Sequence, residues 1–519
     1  MPIPRPLLVS ALAVLLVTGS ASAETTSSGQ DGAAHSAPAQ GEPFAFADFT
    51  WLTGSPRTKD SPLATSAFTG EFRLDADYVH DFDHPKDDTI VGSSEIFRSG
   101  EVQITQLGVG GDFHYQNVRG RLMTQFGLYS QTTPRNDASP ARGQWNLDNA
   151  YRYLSEAYGG YHFNVLNGIN VDAGIFMSYV GLFSYYQFDN WAYQPSYVSS
   201  NTPWFFNGVR IQIFTSDRLK IEPWFVNGWQ SYGRFNQSPG LGLQVLWRPN
   251  GSISLLANHY WGKDTLGNPD RIRIHSDDSI QVKYYDSPES IFSKAAFTFT
   301  FDAGCEYGGG VSCTGGSPDS PSQYFLGFMA YNRFWFYKDM FGLTLGGGAI
   351  TNPGRYLVLL PPINGATAAS GTPYFTQSPG DSYKAWDASI TFDYMPSQFI
   401  TFRFEGNHRQ SNVPYFAGSG GVTPPGGNSG PAWIAGAGFH AGSPYVGEPD
   451  HRGSAREIVI LEGRAHILAD PATDRPVYGR TLLESRRSMP SSCSNKRPVT
   501  LTCQDDRFLT PEKRQMTAG

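Results

Sequence analysis

Apolar and polar residues alternate along many short stretches of this chain. Within residues 208–229, Arg210 and Gln212 alternate with Ile211 and Ile213, and the alternation resumes after a polar turn. A period of two predicts β-strands with one apolar and one polar face. The same period occurs in further stretches, at residues 71–78, 107–115, 170–175, 279–285, 296–303, 386–395 and 400–409.

Short and long connections follow one another between these stretches. Tight turns are predicted at Asn117–Arg119, Asn167-Gly168, Thr215–Asp217, Pro249–Gly251, Lys338–Met340 and Pro396-Ser397. Long polar connections are predicted at residues 83–100, 131–149, 187–203, 232–239, 263–270, 304–322 and 352–383. This order is typical of an outer-membrane barrel, which has short periplasmic turns and long outer loops. We therefore predict an all-β fold, an antiparallel up-and-down β-barrel of about 16 strands.

The chain begins with the features of a secretory signal peptide. Arg5 precedes an apolar stretch from Leu7 to Val17, and Ala21-Ser22-Ala23 is a typical cleavage site. No later run reaches the roughly 18 apolar residues that a transmembrane helix needs. A membrane role therefore requires a barrel. The predicted organisation is a signal peptide at 1–23, a polar periplasmic linker at 24–45, the transmembrane barrel at 46–430 and an atypical tail at 431–519.

The tail differs in composition from the rest of the chain. Between residues 451 and 519, Tyr478 and Phe508 are the only aromatic residues, and the apolar residues of 456–468 do not alternate cleanly. A shifted reading frame in the coding sequence would explain the change, and the tail would then not be the native closing segment. The alternative is a disordered or periplasmic tail. Resequencing this part of the gene distinguishes the two.

Composition and motifs exclude several classes of function. The net charge of −7 gives no sign of nucleic-acid binding. No G-x-S-x-G motif occurs, so we expect no enzyme, no catalytic residue and no cofactor. Residues 77–88 are rich in His and Asp, but a solvated acidic loop is favoured there over a metal site. Cys305 and Cys313 are close enough in sequence to form a disulfide in an oxidising compartment, and this pairing is left open.

Charged residues on the polar strand faces form the candidate site. If the apolar faces contact lipid, the polar faces line a lumen in which rows of charge filter solutes. The predicted pore-lining residues are Glu71, Arg73, Asp75, Asp77, Arg210, Lys220, Glu222, Lys283, Asp387, Asp393, Arg403, Glu405 and Arg409. The alternative is that some of them pair across strands and hold the wall together. If these residues line the lumen, Arg210→Ala should barely affect folding but should shift ion selectivity. Ile211→Arg, on the lipid face, should cost about 2–4 kcal/mol near the bilayer midplane.

Aromatic and apolar residues in the connections give two further predictions. Tyrosines and tryptophans crowd near predicted strand ends, where such rings are typical of interfacial girdles. They are Tyr185, Tyr186, Trp191, Trp204, Trp224, Trp229, Tyr284 and Tyr285. The connection 352–383 is apolar for an outer loop. We predict that it either folds inward as a constriction or packs against a neighbouring subunit, which leaves a homo-oligomer open.

Several stretches resemble one known family. They are FTWLTGSPRTKDSPL (49–63), FTGEFRLDADYVHDFDHPKDDT (68–89), DNWAYQPSYVSSNTPWFFNG (189–208) and the segments 119–165 and 352–375. Over about residues 45–430 the chain is similar to the β-barrel porins of the OmpL-like family, the second β-barrel porin family. Family members end on a strand with a C-terminal aromatic residue, and this sequence departs from them there.

The resemblance implies a pore in a bacterial outer membrane, with no defined substrate. We therefore expect passive diffusion of small hydrophilic solutes through a charged, water-filled lumen. The expected partners are outer-membrane lipid and small hydrophilic solutes, with no cofactor and no nucleic acid. A substrate-selective channel and a structural or surface-interaction barrel without a transport role remain alternatives.

Overall fold

The computed structural model describes most of the predicted barrel region. It covers residues 42–82, 88, 90, 96, 98–134, 137, 139, 145–234, 236–265, 268–353 and 382–412, together with the backbone of one strand at 454–465. The predicted signal peptide and almost all of the connection 352–383 lie outside these residues. Within the described part of the chain, no helix has the length and apolar character needed to cross a membrane.

Sixteen strands form one closed antiparallel barrel, in which each strand pairs with its neighbours in the sequence and β1 pairs with both β2 and β16. The strands are β1 Phe68–Asp81, β2 Val102–Tyr115, β3 Val118–Thr124, β4 Leu154–Phe163, β5 Ile169–Met177, β6 Phe205–Phe214, β7 Leu219–Val226, β8 Gly240–Asn250, β9 Ile253–Gly262, β10 Ile272–Asp286, β11 Phe292–Tyr307, β12 Tyr324–Phe336, β13 Phe341–Thr351, β14 Lys384–Ser397, β15 Ile400–Ser411 and β16 Ser454–Ala465. The described parts of the connections contain the short α-helices α1 Tyr129–Thr132, α2 Leu147–Tyr151 and α3 Tyr197–Ser200, and a 3-10 helix at Gln187–Asp189.

The two faces of β14 show the opposite character that most strands share. On β14, Ile390 and Phe392 are 52% and 42% exposed on the outside, whereas Asp387 and Asp393 are buried inside. The register places Phe392 opposite Phe404 and Asp393 opposite Arg403. An apolar outer surface around a charged interior reverses the arrangement of a soluble protein and matches a barrel in lipid. The predicted fold class is confirmed.

Short turns lie at one end of the barrel and long loops at the other. The short turns are residues 116–117, 164–168, 215–218, 251–252, 287–291, 337–340 and 398–399. Their positions agree with the predicted turns within three residues, and the turn at 287–291 is an addition. We call these two ends the short-turn end and the long-loop end.

The barrel differs from its predicted bounds at both ends of the chain. The first strand begins at Phe68 rather than near residue 46, and the last strand lies in the segment predicted to be an atypical tail. This strand pairs with β15 and β1 and completes the closure. The sequence signal was weak because Ile458, Val459, Ile460 and Leu461 are consecutive rather than alternating. The frameshift remains a prediction.

Candidate pore interior

The connection between β5 and β6, residues 178–204, folds into the barrel. We call it the inner loop. Nearly all of its residues are buried. Its aromatic rings pack on rings of the wall: Tyr179 stacks on Trp224 with centroids 4.8 Å apart, and Phe183 lies 5.0 Å from Tyr331. The barrel therefore contains an aromatic core formed by this loop and the strands around it.

Two carboxylates of the wall bind backbone amides of the inner loop. Glu405 accepts hydrogen bonds from the amides of Tyr193 and Gln194, at 2.6 and 2.9 Å. Asp387 accepts bonds from the Ser196 hydroxyl, at 2.8 Å, and from the amide of the following residue. Hydrogen bonds to a charged acceptor are stronger than those between neutral groups. These contacts fix the middle of the loop against β14 and β15.

Arginines of the barrel wall also bind the inner loop, through its backbone carbonyl oxygens. Arg403 donates to the carbonyl oxygen of Asn190 at 2.8 Å, and Arg409 donates to that of Pro195. From β1, which is separated from β15 only by β16, the Arg73 guanidinium lies 4.4 Å from the ring centroid of Tyr186. The inner loop is thus held from β1 as well as from β15.

A second segment crosses the short-turn end of the barrel. We call residues 44–60 the strap. Its start is bound where the Phe44 amide donates to the carbonyl oxygen of Asp217, at 2.8 Å. Near its end, Arg57 donates to the carbonyl oxygens of Ser397 and Ile400. These anchors belong to the β6–β7 and β14–β15 turns, which are separated by half of the strands. The strap therefore spans the opening from one side to the other.

The strap and the inner loop meet inside the barrel. The Trp191 amide donates to the Thr53 hydroxyl at 3.0 Å, and its indole N–H donates to the carbonyl oxygen of Trp51 at 3.1 Å. The Gly54 amide donates to the carbonyl oxygen of Asp189. Trp51 and Trp191 are almost completely buried. The two segments together narrow the interior that a 16-stranded barrel would otherwise leave open.

The structure places the thirteen predicted pore-lining residues inside the barrel. Their alternation with outward-facing residues puts them there, and most contact another charge, the inner loop or the strap. The positions are those of Glu71, Arg73, Asp75, Asp77, Arg210, Lys220, Glu222, Lys283, Asp387, Asp393, Arg403, Glu405 and Arg409. Cross-strand charge pairing, which the sequence offered as the alternative to pore lining, therefore describes many of these thirteen residues. Their effect on passing solutes stays a prediction.

Arg210 shows that an inward charge also has a structural role. Its Nε lies 3.0 Å from Asp172 Oδ2, and its guanidinium lies 4.5 Å from the ring centroids of both Tyr158 and Phe176. Removing this side chain leaves the buried Asp172 with Arg119, 3.3 Å away, as its remaining cation and takes away both cation–π contacts. The expectation that Arg210→Ala barely affects folding therefore has to be revised, because this substitution should destabilise the wall.

The prediction of an interfacial girdle is corrected for most of its aromatic residues. Six of them are at most 8% exposed and form no girdle: Tyr185, Tyr186, Trp191, Trp204, Trp224 and Trp229. Tyr284 and Tyr285 are 55% and 37% exposed, and for these two the girdle stays a prediction. The density of aromatic residues in 178–204 was the signal that could have identified an inward loop. The connection 352–383, which was predicted to fold inward or to pack against a neighbouring subunit, lies outside the described residues apart from its ends.

The acidic stretch at the end of β1 was the other candidate, as a metal site. Asp77 and Asp81 of the acidic stretch point inward from β1, and residues 83–87 lie outside the described part of the chain. Among described residues no group of three or more His, Cys, Asp or Glu side chains is arranged to hold a metal ion.

Cys305 and Cys313 form a disulfide, with Cα atoms 5.1 Å apart. Cys493 and Cys503 are outside the described residues.

Charges inside the barrel are separated by sign along its length. Near the short turns, cations predominate in strands β1–β15: Arg73, Arg119, Arg121, Arg210, Lys220, Arg248, Lys283, Lys294, Arg333 and Arg403. The carboxylates of that half are Glu71, Asp112, Asp172, Glu222, Asp286, Asp393 and Glu405. Near the long loops, carboxylates predominate: Asp75, Asp77, Asp81, Glu156, Asp277, Asp302, Glu306 and Asp387, against Arg273 and Arg409. The interior is basic at the short-turn end and acidic at the long-loop end.

This closed barrel, with an apolar exterior and a charged interior, has the architecture of outer-membrane porins. The chain belongs to the family described as "Putative beta-barrel porin-2, OmpL-like", whose model matches residues 68–432. The resemblance predicted from the sequence is confirmed, and so is a location in the bacterial outer membrane. The short-turn end is therefore the periplasmic end. No curated protein matches this sequence.

Solved structures with a similar fold are also outer-membrane proteins. The outer membrane channel DcaP of Acinetobacter baumannii has a TM-score of 0.43 at 13% identity, covering 78% of this chain and 98% of that chain. OmpT of Vibrio cholerae has a TM-score of 0.42 at 9% identity, covering 78% and 98%. An anion-selective porin from Comamonas acidovorans has a TM-score of 0.42 at 9% identity, covering 77% and 99%.

Proposed function

We propose that this protein is a porin through which small hydrophilic solutes diffuse across the outer membrane, without catalysis and without a cofactor. The observation that carries the proposal is the charged interior of a closed 16-stranded barrel. Charged walls keep water and small solutes in the lumen, while the apolar exterior keeps the barrel in lipid.

The inner loop and the strap favour a narrow route. Both cross the interior, so a solute has to pass between them and the wall, or displace one of them. Such an arrangement selects small solutes. It also favours the second candidate, a substrate-selective channel with a weak binding site, over a wide general pore.

Planar-bilayer recording of the purified protein tests the proposal. We expect discrete, small conductance steps. Saturable block of the current by one solute would favour the substrate-selective channel. An absence of steps from protein whose folding is verified by heat-shifted gel mobility would contradict the porin proposal and favour a barrel without a transport role. The same unheated gel separates a monomer from a homo-oligomer.

A further inference from the structure

A cluster of polar side chains lies on the outer face of the barrel, where contact with lipid favours apolar residues. It consists of His259 on β9 and of Ser276 and Asp278 on β10, and we call it the outer polar cluster. The residues that alternate with these three are buried inside, as Asp277 and Ser279 are on either side of Asp278. The cluster therefore faces outward from two neighbouring strands.

Hydrogen bonds join the three side chains. The register places Ser276 directly opposite His259. The Ser276 hydroxyl lies 3.1 Å from His259 Nδ1 and donates to Asp278 Oδ2 at 3.0 Å. The second carboxylate oxygen, Asp278 Oδ1, has no hydrogen-bond partner among the described residues. A single barrel therefore satisfies the cluster only in part.

The cluster lies at a depth that lipid tails would occupy. An apolar band of roughly 25 Å corresponds to about ten residues of a tilted strand. Asp278 is the seventh of the 15 residues of β10, so such a band includes it wherever the strand is placed. Its outward neighbours on the adjoining strands, Ala257 and Phe301, have no donor to offer, and lipid tails have none either.

A second polar side chain faces outward on the same side of the barrel. Asn332 of β12 lies between Tyr331 and Arg333, which are buried inside. Its Oδ1 accepts a hydrogen bond from the Tyr284 hydroxyl at 3.0 Å, whereas its Nδ2 has no hydrogen-bond partner within the described part of the chain. Two incompletely satisfied polar groups within four adjacent strands favour a surface that is covered by protein rather than by lipid.

A second copy of this chain has the chemistry that this surface needs. Copies inserted with the same orientation are related by an axis along the membrane normal, so their outer polar clusters lie at equal depth. The cluster is also self-complementary: a protonated His259 has two N–H donors, of which Ser276 takes one, and Asp278 is an acceptor. The small residues Ala257 and Ala303, opposite Asp278 and Ser276, allow close approach.

We propose that the exterior of β9–β12 is the interface at which two copies of this protein form a two-fold symmetric dimer. The two outer polar clusters meet at its centre, where His259 of each copy binds Asp278 of the other. The inference goes beyond the proposed function, because it concerns the exterior of the barrel and holds whether or not the lumen conducts.

Disulfide cross-linking of the full-length protein in lipid vesicles tests the position of this interface. Ala257→Cys places a thiol beside Asp278, and the control Ala76→Cys places one on the outer face of β1, eight strands away. Both variants also carry Cys493→Ser and Cys503→Ser. We expect a dimer band on non-reducing gels for Ala257→Cys that is several-fold stronger than for the control. Equal yields, or no cross-link through residue 257, would overturn the interface.

Asp278→Leu, added to Ala257→Cys, tests the role of the cluster. Lipid accommodates leucine better than a carboxylate, so the single barrel should fold at least as well, as heat-shifted gel mobility shows. The dimer loses its central acceptor, and the cross-linking yield should fall several-fold. Phe404→Leu on the outer face of β15 is the matched control and should leave the yield unchanged. An undiminished yield with Asp278→Leu would contradict the role of the cluster.

Ser276→Ala covers the case in which Asp278→Leu does not fold. It removes only the hydroxyl that holds His259 and Asp278 together, and the cross-linking yield should again fall. An unchanged yield in this folded variant would likewise contradict the role of the cluster. Neither measurement uses current. A dimer that does not conduct therefore leaves the interface standing while the porin proposal fails, and current without cross-linking has the reverse meaning.

Discussion

Strand β14 has two faces that follow opposite rules, although their residues are neighbours in the chain. Phe392 is 42% exposed on the outside of the barrel, and the next residue, Asp393, is completely buried inside. Asp393 binds Arg333 at 2.6 Å and Arg403 at 2.7 Å. The outer face is stable because lipid accepts apolar groups, whereas the inner face requires that each charge find a partner. A substitution should therefore have a different effect on each face.

The largest effect is expected for Asp393→Ala. It leaves the guanidinium groups of Arg333 and Arg403 buried without their shared carboxylate, which should reduce the free energy of unfolding by about 3–5 kcal/mol. Urea unfolding in detergent, followed by tryptophan fluorescence, measures this change. Ser389→Ala on the same face of the same strand is the control and should cost about 1 kcal/mol. Equal losses would contradict the importance of this ion-pair cluster.

On the lipid face, Ile211→Arg should cost about 2–4 kcal/mol, because the guanidinium has to enter the apolar part of the membrane. Ile213→Arg lies next to the end of β6, closer to the membrane surface, and should cost about 1 kcal/mol or less. Unfolding of both variants in lipid vesicles checks the difference. A larger cost at Ile213 than at Ile211 would contradict the assigned depth of these residues.

Glu405→Gln tests the link between the inner face and the inner loop. Replacing the charged acceptor of the Tyr193 and Gln194 amides should cost about 1.5–3 kcal/mol and loosen the loop. Single-channel conductance should therefore rise. Glu222→Gln is the matched control, because Glu222 binds Lys220 and Gln212 and has no hydrogen bond to the inner loop. A rise in both variants would show that the effect is not specific to the loop.

The smallest effect concerns the strap and pH. Burial raises the pKa of Asp48, but hydrogen bonds from Lys59 and Thr50 outweigh it and lower the pKa from 3.8 to about 2. A lowered pKa in the folded state stabilises the strap above the ordinary pKa, and this stabilisation is lost as the pH falls from about 4 to about 2. Hydrogen exchange of residues 44–60, corrected for intrinsic rates, should therefore accelerate between pH 5 and pH 3.

Asp48→Asn provides the control for this pH dependence. Its strap should exchange faster already at pH 5, because the ionic contact with Lys59 is missing. It should then show no further acceleration at pH 3. The same pH response in both proteins would exclude Asp48 as the titrating group.

The sequence identified the strands better than the connections. The alternation in 386–395 and 400–409 determined which side chains of β14 and β15 point inward, because successive residues of a strand point to opposite faces. Loop 178–204 carried no comparable periodic signal. Its aromatic residues fit a membrane interface and a buried core equally well, so the sequence does not distinguish the two.

For the charged residues, too, the sequence predicted some features and not others. Their inward direction was predictable for all thirteen positions, whereas their partners were not. Glu405 binds the backbone of Tyr193 and Gln194, more than 200 positions earlier in the chain. Such contacts depend on the path of a loop through space, which strand periodicity does not encode.

By itself, the sequence determined a membrane barrel with an apolar outer face and a charged inner face, because the period of two follows from local backbone geometry. Only the tertiary structure decided that the inner loop and the strap cross the lumen and that residues 454–465 complete the closure. Each of these features results from packing between distant segments, and its free energy arises only when the barrel has closed.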